Sequence, residues 1–257
     1  MFFLPLYDIN PTLRRPWLTY AIIALCVCWY FGYQFTAPPY HVLEIGFIPA
    51  RFFHGVELPP ELNGVSPMLS IFTSMISHGD VMHLLSNCFV LYLLADNVED
   101  AIGGKLKFLI FAILTGIAGT LGHAMLDTSS TVPLVGISGV CSGMIGAYIL
   151  LHPKAQFRCL VVVIVFFRTM NIPAFMIFIF WLIGQVTGVF SANDNVAYWA
   201  HLFGLAAGMG LIPIFKRKSI KLLPKEHFPS GVETIRKVDI PKITRKLKPP
   251  RKKGPWG

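Results

Sequence analysis

Six long apolar runs separated by polar segments set the pattern of this chain. Each run is close to the length, about 20 residues, that an α-helix needs to cross the hydrocarbon core of a bilayer. The pattern therefore predicts an all-α fold, a polytopic membrane bundle of six transmembrane helices. The predicted spans are 17–35, 81–98, 106–126, 135–152, 172–190 and 197–215.

Four other features of the pattern need an interpretation. The first run has features of a signal peptide, but we favour a retained anchor, because the run is long and no small-x-small cleavage site follows it cleanly. Residues 1–16 form a short polar lead. Residues 68–77, within a long loop, favour a short interfacial helix. Residues 157–169, rich in Val and Phe but interrupted by two arginines, favour an interfacial or extended segment.

The composition agrees with a membrane protein. Hydrophobic residues make up 54% of the chain and charged residues only 14%, whereas about 25% are charged in a typical soluble domain. The five cysteines lie in or beside apolar runs and form no CxxC pair, so we interpret them as small apolar side chains. No cofactor and no metal site is predicted, and the absence of a His-Glu-x-x-His sequence argues against a zinc peptidase.

The positive charge of the chain is concentrated at its C-terminal end. Residues 216–257 hold 14 of the 22 Lys and Arg residues and 3 of the 13 acidic residues. We therefore predict two regions: a six-span membrane domain at 1–215, and a basic, disordered cytoplasmic tail at 216–257. The tail either binds anionic lipid or is a solvated segment that fixes the topology. No nucleic-acid partner is predicted.

The other basic residues predict the orientation in the membrane. Cytoplasmic loops carry an excess of Lys and Arg, and Arg51 is the one basic residue in a segment assigned to the outer side. Both termini are therefore expected in the cytoplasm, and the second, fourth and sixth spans begin at the outer face. We expect an integral, multi-pass protein of a bacterial inner membrane.

Glycines mark the helix faces that pack closely. Gly136 and Gly139 stand at the start of the fourth span, and Gly143 follows on the same face as Gly139. Gly204 and Gly208 recur at the same spacing in the sixth span. Small residues at this spacing let membrane helices approach backbone to backbone. Close packing of the fourth and sixth spans is thus predicted, whether or not the site is catalytic.

Four polar side chains are predicted at one depth in the membrane. Ser138 lies near the outer end of the fourth span, His201 near that of the sixth, and His83 and Asn87 in the first turns of the second. A neutral imidazole activates a serine hydroxyl when the two are within about 2.6–3.2 Å. His83 and Asn87 would then donate hydrogen bonds to an oxyanion. No carboxylate stands at an obvious position to orient His201, so a Ser-His dyad is the simpler hypothesis.

Together these motifs resemble those of rhomboid intramembrane serine proteases, over residues 1 to about 215. The resemblance implies Ser138 as nucleophile, His201 as base, and His83 and Asn87 at the oxyanion site. Some bacterial members have an aromatic residue where Ser142 stands and a Trp-Arg pair in the first outer loop, which is absent here. How His201 is oriented without that aromatic therefore stays open. The matching motifs are Gly136-Ile137-Ser138-Gly139, Ala200 to Gly208, His78 with His83 and Asn87, and Glu99 with Gly103.

The predicted function is that of an intramembrane serine endopeptidase that cleaves transmembrane protein substrates near the outer end of their helix. Membrane lipids are its other expected partners, and no oligomeric state is predicted. The alternative is a catalytically silent rhomboid-like protein that binds membrane clients. A transporter or a haem-binding span set is a third hypothesis, but neither a carboxylate chain nor regularly spaced facing His pairs occur.

Overall fold

The computed structural model describes residues 2–10, 12–163, 166–191 and 196–224. Most of the predicted tail and of the polar loop before the sixth span lies outside these residues. The helices are α1 (Trp17–Trp29, continued by a π-helical turn at Tyr30–Gln34), α2 (His41–Ile45), α3 (Pro49–His54), α4 (Pro67–Ile76), α5 (Val81–Ile102), α6 (Lys105–Ala124), α7 (Ser138–Leu151), α8 (Ala174–Val189) and α9 (Tyr198–Phe215). The strands are β1 (Phe2–Asp8), β2 (Gln156–Val163) and β3 (Phe166–Pro173).

The predicted helical membrane bundle is confirmed. Four of the described helical segments are long and apolar enough to cross a membrane: Trp17–Gln34, α5, α6 and α9. The other two predicted spans are helical and apolar but shorter, with 14 residues in α7 and 16 in α8. That all six cross the bilayer completely stays a prediction.

A small antiparallel sheet of order β1-β2-β3 is added to the helices, which the all-α prediction did not include. Residues 157–163 and 166–169 are extended, which agrees with one of the two interpretations of that segment. The polar lead at 1–16 is partly a strand, because β1 pairs with β2. Phe157, Cys159 and Val161 of β2 are buried at alternate positions, which fixes the face that packs on the bundle.

Asp8, at the end of β1, joins the sheet to two helices. The Tyr148 hydroxyl of α7 donates to Asp8 Oδ2 at 2.9 Å, and Nδ2 of Asn97 in α5 donates to the same oxygen at 2.6 Å. Burial, together with the negative charge of Asp96, raises the pKa of Asp8 to about 7. The sheet therefore lies at the ends of α5 and α7 that are far from Ser138.

Two neighbouring carboxylates in the last turn of α5 hold other parts of the chain. Glu99 accepts hydrogen bonds from the backbone N–H groups of Leu18 and Thr19, so it caps the start of α1. Asp100 is buried, and its carboxylate lies 3.6 Å from the guanidinium of Arg217. The chain after α9 thus returns to the end of α5.

Candidate active site

Contacts between glycines bring α6, α7 and α9 together without intervening side chains. A Cβ added at Gly204 would collide with the carbonyl oxygen of Gly139, and one at Gly208 with that of Gly143. On its other side, Gly139 lies against Gly116 and Gly119 of α6. The start of α7 is therefore held between two helices at backbone-to-backbone distance.

Ser138 is the first residue of α7, at the end of the bundle where α5 and α9 also begin. Its backbone N–H is one of the first-turn groups that lack a partner within the helix. Ser138 lines a cavity of about 20 Å³ together with Ser74, Gly136 and Ala200. A cavity of this size holds about one water molecule.

His201 lies in the first turn of α9, next to Ala200, and is held by side chains from α8. Its Nδ1 forms a hydrogen bond with Oε1 of Gln185, a side chain that is 9% exposed. The Trp181 ring lies 6.5 Å from the imidazole at 31°, and the Tyr198 ring lies edge-on at 6.3 Å. Trp181 of α8 and Tyr198 of α9 itself thus supply aromatic contacts to His201.

Ser142 stands where some bacterial rhomboids have an aromatic residue, and here its side chain bonds within α7. Its hydroxyl donates to the carbonyl oxygen of Ser138, one turn earlier, at 2.8 Å. Hydroxyl groups commonly bond back to the preceding turn in this way. Ser142 is therefore satisfied within α7.

His83 is oriented by the turn that precedes α5. Asp80 caps that helix by accepting from the His83 N–H at 2.8 Å. The Gly79 N–H lies 3.4 Å from His83 Nδ1, which must accept because an N–H group only donates. The neutral ring therefore carries its proton on Nε2, the nitrogen that faces Gly136.

Asn87 completes a pair of donors around Gly136. It lies one turn after His83 on the same face of α5, is 6% exposed, and has Nδ2 buried without a hydrogen-bond partner among the described residues. A Cβ added at Gly136 would lie 2.7 Å from His83 Nε2 and 3.7 Å from Asn87 Nδ2. Both N–H donors thus face the residue two positions before Ser138.

His78 is buried behind His83. Their rings are 5.1 Å apart in an edge-on arrangement. Burial and the proximity of His83 lower the pKa of His78 to about 4, so its imidazole is neutral at physiological pH. Within the described ranges, no three His, Cys, Asp or Glu side chains are grouped so as to hold a metal ion.

Gln185 is the residue of this site that the sequence interpretation missed. The signal in the sequence is a glutamine inside an apolar run, since a polar side chain in a membrane helix is costly unless it has a partner. A cavity of about 320 Å³ lies elsewhere, between Arg51 and Pro67.

The four apolar helical segments of spanning length indicate an integral, multi-pass membrane protein. The sequence model of the Rhomboid domain matches residues 66–218, a stretch that holds all four predicted catalytic and oxyanion residues. This chain belongs to the rhomboid family.

Two relatives illustrate the range of the similarity. RHOMBOID-like protein 12, mitochondrial, of Arabidopsis thaliana is 26% identical over 152 residues, which cover 53% of this chain and 43% of the relative. "Putative rhomboid protease YdcA" of Bacillus subtilis (strain 168) is 29% identical over 139 residues, which cover 54% of this chain and 62% of the relative. Each alignment thus covers less than two thirds of the relative's own length.

Proposed function

We propose that this rhomboid is an intramembrane serine endopeptidase that cleaves transmembrane protein substrates near the outer end of their helix. The observation that carries the proposal is the convergence at one end of the bundle: Ser138, His201, His83 and Asn87 come from the starts of three helices. The name of the Bacillus relative, "Putative rhomboid protease YdcA", agrees with it.

In the proposed reaction Ser138 Oγ attacks the scissile carbonyl carbon while His201 takes the hydroxyl proton. The carbonyl oxygen becomes an oxyanion, which accepts hydrogen bonds from His83 Nε2–H, Asn87 Nδ2–H and the Ser138 N–H. Removing one such donor typically costs about 3–4 kcal/mol of transition-state stabilisation. His201 then gives its proton to the leaving amine.

Water completes the reaction by hydrolysing the acyl-enzyme. The cavity beside Ser138 has room for about one molecule, which would approach the ester from the side of Ala200. His201 acts again, first as base for the water and then as acid for Ser138 Oγ.

A substrate helix must unwind locally before its peptide bond reaches Ser138, because backbone hydrogen bonds protect a helical bond. Irregular backbone at membrane depth is tolerated only inside protein or in a wet cavity. We propose entry beside α8, where Phe180 is 60% exposed. Phe178 of the same helix is unsuited to gate this entry path, because its ring is buried edge-on against those of Tyr148 and Phe157.

The proposed cellular setting is a bacterial inner membrane with both termini in the cytoplasm. The orientation rests on the charge distribution, with Arg51 as the one basic residue in the segments assigned to the outer side. Lipids of that membrane are the remaining proposed partners.

Substitution of Ser138 tests the activity. We expect the purified wild-type protein to cleave a model transmembrane substrate and to be labelled by a fluorophosphonate. The Ser138→Ala variant should lose both cleavage and labelling, because it lacks the nucleophilic hydroxyl. Its helical circular dichroism should be kept, because the substitution removes only one oxygen atom.

Ser142→Ala is the matched control, since it removes a hydroxyl one turn further along α7 and should keep both activities. Cleavage by Ser138→Ala at the wild-type rate would contradict the proposal. A folded wild-type protein that neither cleaves nor reacts would instead support the catalytically silent alternative.

A further inference from the structure

One face of α8 contacts the first turn of α9. Trp181, Gln185 and Gly188 are spaced by four and three residues and therefore share this face. Gly188 leaves room for the Tyr198 ring, which a Cβ at that position would overlap. We call Trp181, Gln185, Gly188 and Tyr198 the His201 seat, because three of these side chains contact that imidazole and Gly188 makes room for the Tyr198 ring.

The hydrogen bonds of Gln185 determine which nitrogen of His201 carries the proton. The amide Nε2 of Gln185 lies 3.5 Å from the carbonyl oxygen of Trp181, one turn earlier, and only the NH₂ end of the amide can donate there. Oε1 therefore faces His201, and an amide oxygen only accepts. Nδ1 of His201 must donate to it, so the neutral ring carries its proton on Nδ1.

This assignment leaves Nε2 of His201 as an unprotonated acceptor. A general base needs a lone pair directed at the proton that it removes, and a third group commonly orients it. The opposite tautomer would place an N–H where the Ser138 hydroxyl must donate. The same hydrogen bond also restricts rotation of the ring.

We propose that Gln185 is the positioning residue of this rhomboid, an uncharged third member that fixes the tautomer and the orientation of the base His201. The inference rests on the proposed protease function. It also gives α8 a role in the chemistry. The His201 ring has the tautomer and the orientation that a base needs only while α8 lies against α9.

The face of α8 opposite the His201 seat points away from the bundle, with Phe180 and Ile183 more than half exposed. Displacement of α8 from α9 would separate Oε1 of Gln185 from the imidazole. Opening of the bundle at α8 would therefore inactivate the base, and return of the helix would restore it.

Replacement of Gln185 by an apolar side chain of similar length tests the role. For Gln185→Met we expect kcat for a model transmembrane substrate to fall roughly 100-fold, less than the ~10⁴-fold lost when the charged orienting Asp of a catalytic triad is replaced. KM should change less than about threefold, because the Gln185 side chain is buried against His201 and exposes little surface to a substrate.

Gln185→Glu tests rescue by a side chain that keeps the accepting oxygen. It should retain more activity than Gln185→Met, and the acid limb of its pH–rate profile should move to higher pH, since a carboxylate favours the protonated imidazole. A purely structural role for Gln185 would instead leave Gln185→Glu no more active than Gln185→Met.

The control is Thr187→Val, two residues further along α8. Thr187 is exposed, and its hydroxyl donates to Ile183 on the same helix at 2.9 Å, so kcat should equal that of the wild-type protein. Wild-type kcat and an unchanged pH profile in both Gln185 variants would overturn the inference.

The tautomer is measured independently of activity by ¹⁵N NMR of histidine-labelled protein, with His201 assigned by loss of its signals in His201→Asn. We expect an unprotonated Nε2 in the wild-type protein and a mixture of tautomers in Gln185→Met. An Nε2-protonated wild-type ring would overturn the inference alone. The expected tautomers in a wild-type protein that is not labelled by a fluorophosphonate would overturn the proposed protease, and with it the catalytic role of Gln185.

Discussion

At the scale of single residues, Gly136 occupies a position where the backbone conformation and the neighbouring His83 ring leave no room for a side chain. Its φ of +123° is a conformation that residues with a side chain rarely adopt. Its N–H donates to the carbonyl oxygen of Ser74 at 2.8 Å, which fixes the chain just before Ser138. The place where a Cβ would stand is occupied by the His83 ring. Both the conformation and the space thus require glycine.

Gly136→Ala is therefore expected to displace His83 from the site. The backbone strain alone should lower the free energy of unfolding by about 1–3 kcal/mol, and fluorophosphonate labelling of Ser138 should be lost. Thermal unfolding in detergent and a labelling time course measure the two effects.

Gly210→Ala is the control, because a Cβ at that position in α9 meets no atom within 4 Å. It should label like the wild-type protein. Labelling of Gly136→Ala at the wild-type rate would show that the proposed oxyanion donors do not depend on this contact.

The residues of the site differ in how far they can be predicted from sequence. His83 and Asn87 are separated by one helical turn, so their shared face follows from local spacing. The partner of His201 does not follow in this way, because Gln185 belongs to another helix and reaches it only through the packing of α8 on α9. Local patterns give the face of a helix but not the neighbour that covers it.

At the scale of elements, α7 is held at both ends by different parts of the chain. It begins with Ser138 between α6 and α9, and near its other end Tyr148 donates to Asp8 of β1. The sheet therefore supports the helix that carries the proposed nucleophile, at the end opposite to the chemistry.

The docking of β1 should depend on pH through Asp8. Its pKa is about 7 in the folded protein and near 3.9 in an unfolded chain. Between these values the folded state holds a proton that the unfolded state has lost, so stability falls as the pH rises from about 4 to about 7 and then levels off. Hydrogen exchange of the β1 amides, measured at pH 5 and pH 8 after correction for the intrinsic rate, should show weaker protection at pH 8.

Asp8→Asn should remove most of this dependence, because its amide oxygen still accepts from Tyr148 and Asn97 but does not ionise. If the protection of the β1 amides depends equally on pH in the wild-type protein and in Asp8→Asn, the titrating group is another one, such as Asp96.

The sheet was only partly predictable. Alternating burial of Phe157, Cys159 and Val161 follows from the Val- and Phe-rich pattern that favoured an extended segment. The strand in the polar lead did not follow, because β1 pairs with residues about 150 positions away. Such long-range pairing leaves little trace in the local sequence.

At the scale of the whole molecule, residues 216–224, which follow α9, lie against the bundle. Arg217 pairs with the buried Asp100, its N–H donates to the carbonyl oxygen of Ala101 at 2.9 Å, and the Leu223 N–H donates to that of Leu150 at 2.8 Å. The division of the chain at residue 215 stays a prediction, but these contacts place the first part of the predicted tail against the membrane domain.

Shortening the chain separates the two parts of the tail. A protein that ends at residue 215 should lose about 1–3 kcal/mol of unfolding free energy, the usual cost of leaving a buried polar group unsatisfied. A protein that ends at residue 224 should match the full chain. Thermal unfolding of the three proteins in the same detergent measures this, and equal stability at 215 and 224 would contradict it.

The helical bundle and the rhomboid family were both predictable from sequence, because apolar length and local motifs carry them. The number of complete crossings was harder to predict, since an apolar run includes residues that the structure assigns to loops or strands. The run at 172–190, for example, begins in β3.

The shortness of α7 and α8 has a consequence for the surrounding lipid. At 1.5 Å per residue, 14 and 16 residues span about 21 and 24 Å, whereas the hydrocarbon core of a bilayer is about 30 Å thick. Since we predict that α8 crosses the bilayer, we also predict that the lipid tails beside its exposed face compress to match it. A transmembrane segment that diffuses into this thinner annulus would be too long for it, so hydrophobic mismatch would push one end of that segment toward water before it touches the protein.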